Sequence, residues 1–404
     1  MFRQELHDKI FYYSLFCLAS ALPFSDLYAA IPVGILAVNW VIEGNLRGKA
    51  NALLHNKIAC FFSALYLLYL AGLAYTSDIN YGLFDIEVKL SLVIFPIVLS
   101  TTSSLHKVSR KKIFLAFTIG NIAVLTLCLA RAVLSFSRNH LPSAFLYDDL
   151  SFMMHPGYFS MYINLSLFFL LMHLSRLSRM KEKIAAVLAI TFFSCSVILI
   201  SSKMGIITLT AILACAFLYI VFKEKKIKSG LIMLLFSILI SLLLYRSFPL
   251  LTERFNWAKT AVTEKTIDKT ETESTAVRIL IWKAAVSSAK EHPFYGAGTG
   301  DVRNSLEKKY SELGLTGALK KKLNAHNQFL QTTLALGIPG GLLLLATILI
   351  PMAAAARSHD YVYLFFLILI LFNFSVESML ETQAGVLFYA FFNSLLMFKK
   401  EKSL

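Results

Sequence analysis

The chain has 404 residues, of which 57% are hydrophobic, and a formal net charge of +15 at pH 7. Its mean hydropathy of +0.66 excludes an ordinary soluble protein of this length and indicates that a lipid bilayer is its solvent. The apolar runs are continuous rather than alternating, so the sequence predicts helices and not a β-barrel. Much of the excess positive charge lies in short loops between apolar segments, where it sets membrane topology, and we therefore expect no nucleic-acid partner.

Apolar segments of membrane-spanning length recur along the whole chain. We predict an all-α, polytopic membrane protein with about 12 transmembrane helices and one large extracytoplasmic loop between helices 9 and 10. The predicted spans cover residues 10–23, 26–43, 57–75, 83–101, 113–136, 158–175, 184–201, 205–222, 230–246, 328–355, 360–375 and 382–398.

Clusters of basic residues follow every second predicted span. Because cytoplasmic loops are enriched in Lys and Arg, this alternation predicts that both termini lie inside. The loop at 247–327 then faces outward, and its own basic residues do not contradict this, since loops beyond about 60 residues translocate largely regardless of charge. The sequence thus divides into nine helices at 1–246, an extracytoplasmic loop carrying active-site residues at 247–327, and three helices at 328–404.

The outer loop is the one long hydrophilic stretch of the sequence. It opens with Phe248-Pro-Leu-Leu-Thr-Glu-Arg254. A Thr- and charge-rich stretch at 260–274 follows, for which we expect either a flexible chain or a solvated helix. The pattern at 276–291 predicts a helix that His292-Pro293 ends.

Two residues of this predicted helix, Arg278 and Trp282, stand at i and i+4 on one face. The planar fork of an arginine suits bidentate phosphate binding. The indole of a tryptophan offers a flat face to a sugar ring or a lipid tail. The alternative is a surface arginine packed on a structural tryptophan, and spacing alone favours that alternative.

Three glycines follow within five residues, in Pro293-Phe-Tyr-Gly-Ala-Gly-Thr-Gly300-Asp301. Their backbone N–H groups could approach an anion. However, no strand precedes them and no Lys-Ser/Thr pair follows in Walker spacing, so the pattern is weak as a nucleotide motif. A tight structural turn is the favoured interpretation.

The sharpest candidate is His326, where the outer loop returns to the membrane. Asn324 is expected to cap the helix that follows. A neutral imidazole at the water–membrane boundary can act as a general base near pH 7; the alternative is an interfacial histidine with no role. Downstream, Gly337-Ile-Pro339-Gly340 predicts a kink, because proline removes a backbone donor and clashes with the preceding turn.

Smaller polar features lie in other loops of the predicted outer face. Lys203, between spans seven and eight, either snorkels to the interface or supplies a second cation for phosphate. His155 and Tyr158 precede span six and are candidate substrate-binding residues. Glu377 and Glu381, between the last two spans, are individually more typical of interfacial residues than of catalytic ones.

The residues from about 200 to 340 resemble the O-antigen ligase family. Those ligases carry His, then Asn, Ser or Gln, nine residues, Gly, two residues, and Gly, Thr or Tyr; here His326-Asn327 is followed by nine residues, Gly337, two residues and Gly340. The order Arg278, Trp282, Pro293 and Gly296-Ala-Gly298 is similar to the family's outer-loop segment.

A further family motif, Ser-Arg-Gly near the start of span eight, has its arginine against pyrophosphate. Here the residues are Ser202-Lys203-Met204-Gly205, which keep the charge but not the bidentate geometry. The twelve-span topology with one large loop between spans nine and ten is also similar to that of the family.

The resemblance implies an inverting, metal-independent glycosyltransferase of the bacterial inner membrane, with its site facing the periplasm and no cofactor. It would move a glycan from undecaprenyl pyrophosphate to a hydroxyl of lipid A-core or another glycan acceptor, among membrane lipids. Arg278 and Lys203 would stabilise the leaving pyrophosphate, and His326 would deprotonate or orient the acceptor. Asn327 and Trp282 would position substrate, and we expect Arg278 and His326 to converge at one cavity with Lys203 on its wall.

Two other functions remain open at this point. An O-antigen or capsule polymerase uses the same donor with another lipid-linked glycan as acceptor. A transporter or flippase of lipid-linked glycans is more distant, because transporters place charges within their spans and show inverted repeats, whereas most charges here lie in loops.

Overall fold

A computed structural model describes residues 2–223, 225, 227–247, 268–272 and 275–399. These residues form α-helices and short helical turns, with no strand among them. The first nine helices, α1 to α9, are Phe2–Ala21, Asp26–Ile42, Leu46–His55, Lys57–Gly72, Ile79–Lys89, Ser91–Thr101, Arg110–Asn139, Tyr147–Leu150 and Pro156–Leu174. The next nine, α10 to α18, are Met180–Ile200, Lys203–Leu218, Ile227–Ser247, Thr275–Ala289, Val302–Leu313, Thr316–Lys321, Gln328–Arg357, Tyr361–Val376 and Gln383–Phe398.

Several of these helices are long and apolar enough to cross a membrane. Within the described part of the chain six qualify, or seven if α2 and α3, which are bent by 109° at their junction, form one span. The six are Lys57–Tyr75, Arg110–Asn139, Pro156–Leu174, Met180–Ile200, Lys203–Phe222 and Gln328–Arg357. The all-α, multi-pass architecture is thus confirmed, while the count of twelve stays a prediction.

The predicted spans and the observed helices differ most at 83–101. This segment is divided into α5 and α6 at Leu90, and the end of α5 carries Asp85 and Lys89, both buried. Buried charges are tolerated in such a place only when they are paired, and Lys89 Nζ bonds to the Asp85 carboxylate. The predicted outer-loop helix at 276–291 is observed as α13, whereas 248–254 and most of 260–274 lie outside the described residues.

The chain forms two compact units. The first comprises Met1–Ser14, Pro32–Arg110 and Trp257–Leu404, and the second comprises Leu15–Ile31 and Lys111–Asn256. In the first unit α16 packs against α4, α13 and α17, and α18 packs against α6. Aromatic rings fill the adjoining core, where Phe366, Phe388 and Phe392 lie with centroids 5.2 to 6.0 Å apart.

Helix α16 is broken at Gly337, which has φ 71° and ψ −175°. Pro339 has no N–H, so the carbonyl of Ala335, four residues earlier, loses its helical donor. The N–H of Gly298 supplies a replacement at 3.1 Å. One position earlier, Ile338 N–H donates to Pro293 O at 2.7 Å instead of to Leu334 O.

The carbonyl of Leu334 in turn accepts from Ala297 N–H at 2.7 Å. Residues 293–301, which we call the Gly-rich segment, therefore satisfy the backbone groups that the kink exposes. The expected kink is confirmed, with its non-helical torsion angles at Gly337 rather than at the proline itself.

In the second unit, α9 and α11 lie in close contact. A Cβ on Gly205 would come within 2.5 Å of Ser160 Oγ, so the glycine permits this approach. The Asn164 amide donates to the Gly205 carbonyl at 2.9 Å across the same contact. This packing fixes the first turn of α11, where Lys203 lies.

Candidate active site around His326 and Glu377

His326 lies between α15 and α16 in a left-handed backbone conformation, with φ 43°. The Asn324 side chain stabilises this turn, because its Oδ1 accepts from His326 N–H at 2.9 Å. The imidazole Nδ1 lies 3.2 Å from both carboxylate oxygens of Glu377, which directly follows α17. Two elements that are 51 residues apart in the chain thus meet through these side chains.

The contact determines which imidazole nitrogen carries a proton. An ionised carboxylate only accepts hydrogen bonds, so Nδ1 must donate to Glu377. Nε2 is buried and has no hydrogen-bond partner among the described residues. In the neutral ring Nε2 is then the hydrogen-bond acceptor.

Arg278, on the first turns of α13, contacts the same carboxylate. Its Nη2 lies 3.6 Å from Glu377 Oε2, and its Nη1 donates to the carbonyl of Val376 at 2.7 Å. The arginine side chain is 30% exposed. Arg278 and His326 thus both contact Glu377, which joins them, whereas the cavity expected between them, with Lys203 on its wall, stays a prediction.

Trp282 lies one turn after Arg278 and is tied to the same site. Its Nε1 donates to the His326 carbonyl at 3.3 Å, which supports the left-handed turn. Its ring also lines an open groove of about 480 Å³ together with Ile279, Val286 and Lys283. The tryptophan therefore braces the histidine backbone and presents an apolar face to that groove.

The residue that caps α16 is Asn327, so the expectation that Asn324 caps it is wrong. Asn327 Oδ1 accepts from Leu330 N–H at 3.0 Å, and its Nδ2 donates to Ser375 O at 3.0 Å. Asn324 lies too far ahead of the helix to cap it, and its side chain accepts from His326 N–H instead. Both polar atoms of Asn327 are thus engaged, and its role in positioning substrate stays a prediction.

The segment that carries Glu377 is held in place by neighbouring groups. Ser378 Oγ accepts from Asn327 N–H at 3.2 Å, and Leu380 N–H donates to Gln328 Oε1 at 2.6 Å. Glu381 pairs with the fully buried Lys89 at 3.1 Å. Because these contacts hold the residues that follow Glu377, its carboxylate is presented from a rigid support.

The stretch of chain leading to His326 is anchored by Tyr310 of α14. Its hydroxyl donates to the Leu323 carbonyl at 3.1 Å. Burial raises the pKa of this phenol, so it stays a neutral donor throughout the physiological range. The anchor lies three residues before the histidine and limits how far the turn can shift.

The Gly-rich segment does not form an anion cradle, because its N–H groups already have protein acceptors. Gly296 N–H donates to His292 O and Gly300 N–H to Thr76 Oγ1, at 2.9 and 2.8 Å. Asp301 accepts from Ser77 and Asp78 N–H groups, which secures the end of the segment. The interpretation as a structural turn is confirmed.

Three predicted substrate-binding residues belong to the second unit. Lys203 is the first residue of α11 and is exposed, and Ser202 caps that helix by accepting from Gly205 N–H at 3.4 Å. His155 caps α9 through Nδ1, which accepts from Gly157 N–H at 3.2 Å, and its ring lies 5.6 Å from that of Tyr158. Their roles toward substrate stay predictions.

Glu377 is the site residue that sequence reasoning undervalued. The sequence groups it with Glu381 as an interfacial acid, and nothing in the spacing separates the two. The available signal was its placement in the last outer loop, on the same predicted face as His326. Among the described residues, no group of three or more His, Cys, Asp and Glu side chains is arranged to hold a metal ion.

Comparison with known proteins supports the family resemblance. No curated protein matches the chain. A family model described as O-antigen ligase matches residues 184–345. The matched range contains Lys203, Arg278, Trp282 and the whole motif from His326-Asn327 to Gly337 and Gly340, whereas Glu377 lies beyond it. This match supports the assignment of the chain to the O-antigen ligase family.

Proposed function

We propose that this protein is an inverting, metal-independent glycosyltransferase that moves a glycan from undecaprenyl pyrophosphate to an acceptor hydroxyl of lipid A-core. The reaction takes place at the periplasmic face of the bacterial inner membrane. The family assignment supports transfer of this class, and the local geometry around His326 supports the chemistry.

The observation that carries the proposal is the buried Nε2 of His326, which has no partner among the described residues. With Nδ1–H held by Glu377, Nε2 can take the proton of the acceptor hydroxyl as its oxygen attacks the anomeric carbon. The bond between that carbon and the pyrophosphate oxygen breaks on the opposite face. Undecaprenyl pyrophosphate leaves with the electron pair, and the anomeric configuration inverts.

The leaving group needs positive charge where its own negative charge develops. Arg278 and His326 both contact the Glu377 carboxylate. Two guanidinium nitrogens of Arg278 contact Val376 and Glu377, and the side chain retains further N–H donors for an anion. We assign it the pyrophosphate. Preorganised charges of this kind contribute most where water is excluded.

The test uses the purified full chain, an undecaprenyl-pyrophosphate-linked glycan and lipid A-core. We expect the wild-type protein to form product on lipid A-core and Arg278→Ala to form none. Absence of product from a folded preparation would contradict the proposal. Arg303→Ala is a matched control, because Arg303 pairs with Glu307 at 2.9 Å rather than with Glu377.

A deletion strain separates the ligase from the polymerase. Lipopolysaccharide without any polymer on lipid A-core, while polymer persists on undecaprenyl, is expected for the ligase. A single capping repeat on lipid A-core would identify a polymerase instead. Accumulation of lipid-linked glycan on the cytoplasmic leaflet would identify a flippase.

A further inference from the structure

One carboxylate serves two residues that have different tasks. Glu377 lies 3.2 Å from His326 Nδ1 through both oxygens and 3.6 Å from Arg278 Nη2 through Oε2. Its side chain is 17% exposed, so these interactions are only partly screened by solvent. The acceptor-activating imidazole and the anion-binding guanidinium therefore share one negative charge.

The backbone that carries this carboxylate is held in place by its neighbours. Its backbone is fixed by Asn327, Gln328 and the buried Lys89 through the neighbouring residues of the same segment. Arg278, in contrast, has a long side chain that is 30% exposed. The arginine is thus the more accessible partner, and an anion in the site would draw its guanidinium away from Glu377.

We propose that Glu377 is a positioning residue that couples donor binding to acceptor activation. It rests on the function proposed above. Before donor binds, Glu377 divides its charge between Arg278 and His326. When Arg278 turns to pyrophosphate, the carboxylate keeps its contact with the imidazole and holds it in the tautomer whose Nε2 accepts a proton.

The coupling predicts opposite effects on binding and on turnover when the charge is removed. A carboxylate next to Arg278 competes with an anion for the guanidinium and repels it. Replacing it with a neutral amide should therefore strengthen anion binding. The same change should slow transfer, because the imidazole loses the group that sets its tautomer. A residue that only stabilised the fold would weaken both.

The first experiment compares Glu377→Gln with wild type by calorimetry with inorganic pyrophosphate and by steady-state transfer. We expect pyrophosphate to bind the variant at least about 5-fold more tightly, the lower end of typical coupling between sites. We expect kcat to fall by up to about 10⁴-fold, the scale found when a histidine's orienting carboxylate becomes an amide.

The matched control is Glu381→Gln, four residues along the same segment. Glu381 pairs with Lys89 rather than with Arg278 or His326, so pyrophosphate affinity should not increase. Equal tightening in both variants would show a general charge effect and overturn the proposal. Weaker or unchanged pyrophosphate binding in Glu377→Gln would overturn it as well.

A second measurement uses the wild-type protein, so it does not depend on whether Glu377→Gln folds. In the ¹⁵N spectrum of wild-type protein with labelled histidine, at mildly alkaline pH, His326 should be protonated at Nδ1 and unprotonated at Nε2. Its signals among the nine histidines are identified by their absence from His326→Gln. A ring protonated at Nε2 would refute the positioning role. Neither this spectrum nor pyrophosphate binding requires transfer activity, so failure of the proposed function is distinguishable.

Discussion

Gly298 donates its N–H to the Ala335 carbonyl at 3.1 Å, which is the carbonyl that Pro339 leaves without a helical donor. The Gly-rich segment and the broken helix α16 are thus one structural unit. A Cβ on Gly296 would come within 2.4 Å of the Ala335 backbone, which explains why the close approach needs glycine. The kink and the Gly-rich segment therefore stabilise each other. The kink lies further along α16 than the helix start, next to which His326 is placed.

Gly337→Ala should destabilise this unit. The torsion angles of Gly337 lie in a region that is essentially restricted to glycine, with a cost of order 1–3 kcal/mol for other residues. The new Cβ would also lie 2.4 Å from Phe294 C. Thermal inactivation of purified protein measures the loss. Gly34→Ala in α2 is the control, because a Cβ at Gly34 would meet no atom within 4 Å and helix propensity favours alanine. Equal stability of both variants would contradict this account.

Arg278→Ala should abolish detectable transfer, and Arg278→Lys should retain little of it. The lysine keeps the charge, but a point charge does not reproduce a bidentate contact or the hydrogen bond to Val376 O. Initial rates of purified variants with matched thermal stability provide the measurement. Near-normal rates in Arg278→Lys would show that net charge alone matters at this position.

Tyr310→Phe should cost about 1 kcal/mol of stability, the usual net value of a buried hydrogen bond. Burial raises the pKa of this phenol, so its contribution is complete below the unfolded-state pKa of about 10 and declines as pH rises further. The difference in stability between wild type and variant should therefore be constant from neutral to mildly alkaline pH and shrink in strong alkali. A difference that already changes near neutrality would contradict this assignment.

Membrane topology is tested by cysteine labelling of intact cells. In a background without the five native cysteines, a cysteine at Thr270 should react with an impermeant reagent, because the basic-loop alternation places the outer loop outside. A cysteine at Lys226, which lies outside the described residues, should react only after lysis. The reverse pattern would refute the orientation.

Features set by local sequence were predictable. Helix α13 follows from its apolar pattern and from the Pro293 that stops it, and the kink follows from Gly337 and Pro339. The His326-Asn327 motif also pointed to the loop that holds the candidate site, whose role stays a prediction. These predictions succeed because each depends on the conformational limits of a few adjacent residues.

Features set by contacts between distant segments were not predictable. Glu377 and Glu381 are equivalent in sequence, and only the fold directs one to His326 and the other to Lys89. Likewise, Asn324 and Asn327 are both of a residue type that caps helices, and Asn327 is the N-cap because α16 begins at the next residue. The pairing partners lie tens or hundreds of residues away, where periodicity carries no information.

The central claim is that Nε2 of His326 accepts the proton of the acceptor hydroxyl. The most direct test is the initial rate of transfer by purified His326→Gln, because glutamine keeps a hydrogen-bond donor and acceptor but does not titrate near neutrality. A general base predicts a loss of roughly 10²- to 10⁴-fold, with no remaining acidic limb in the pH–rate profile. Rates like those of wild type would contradict the account.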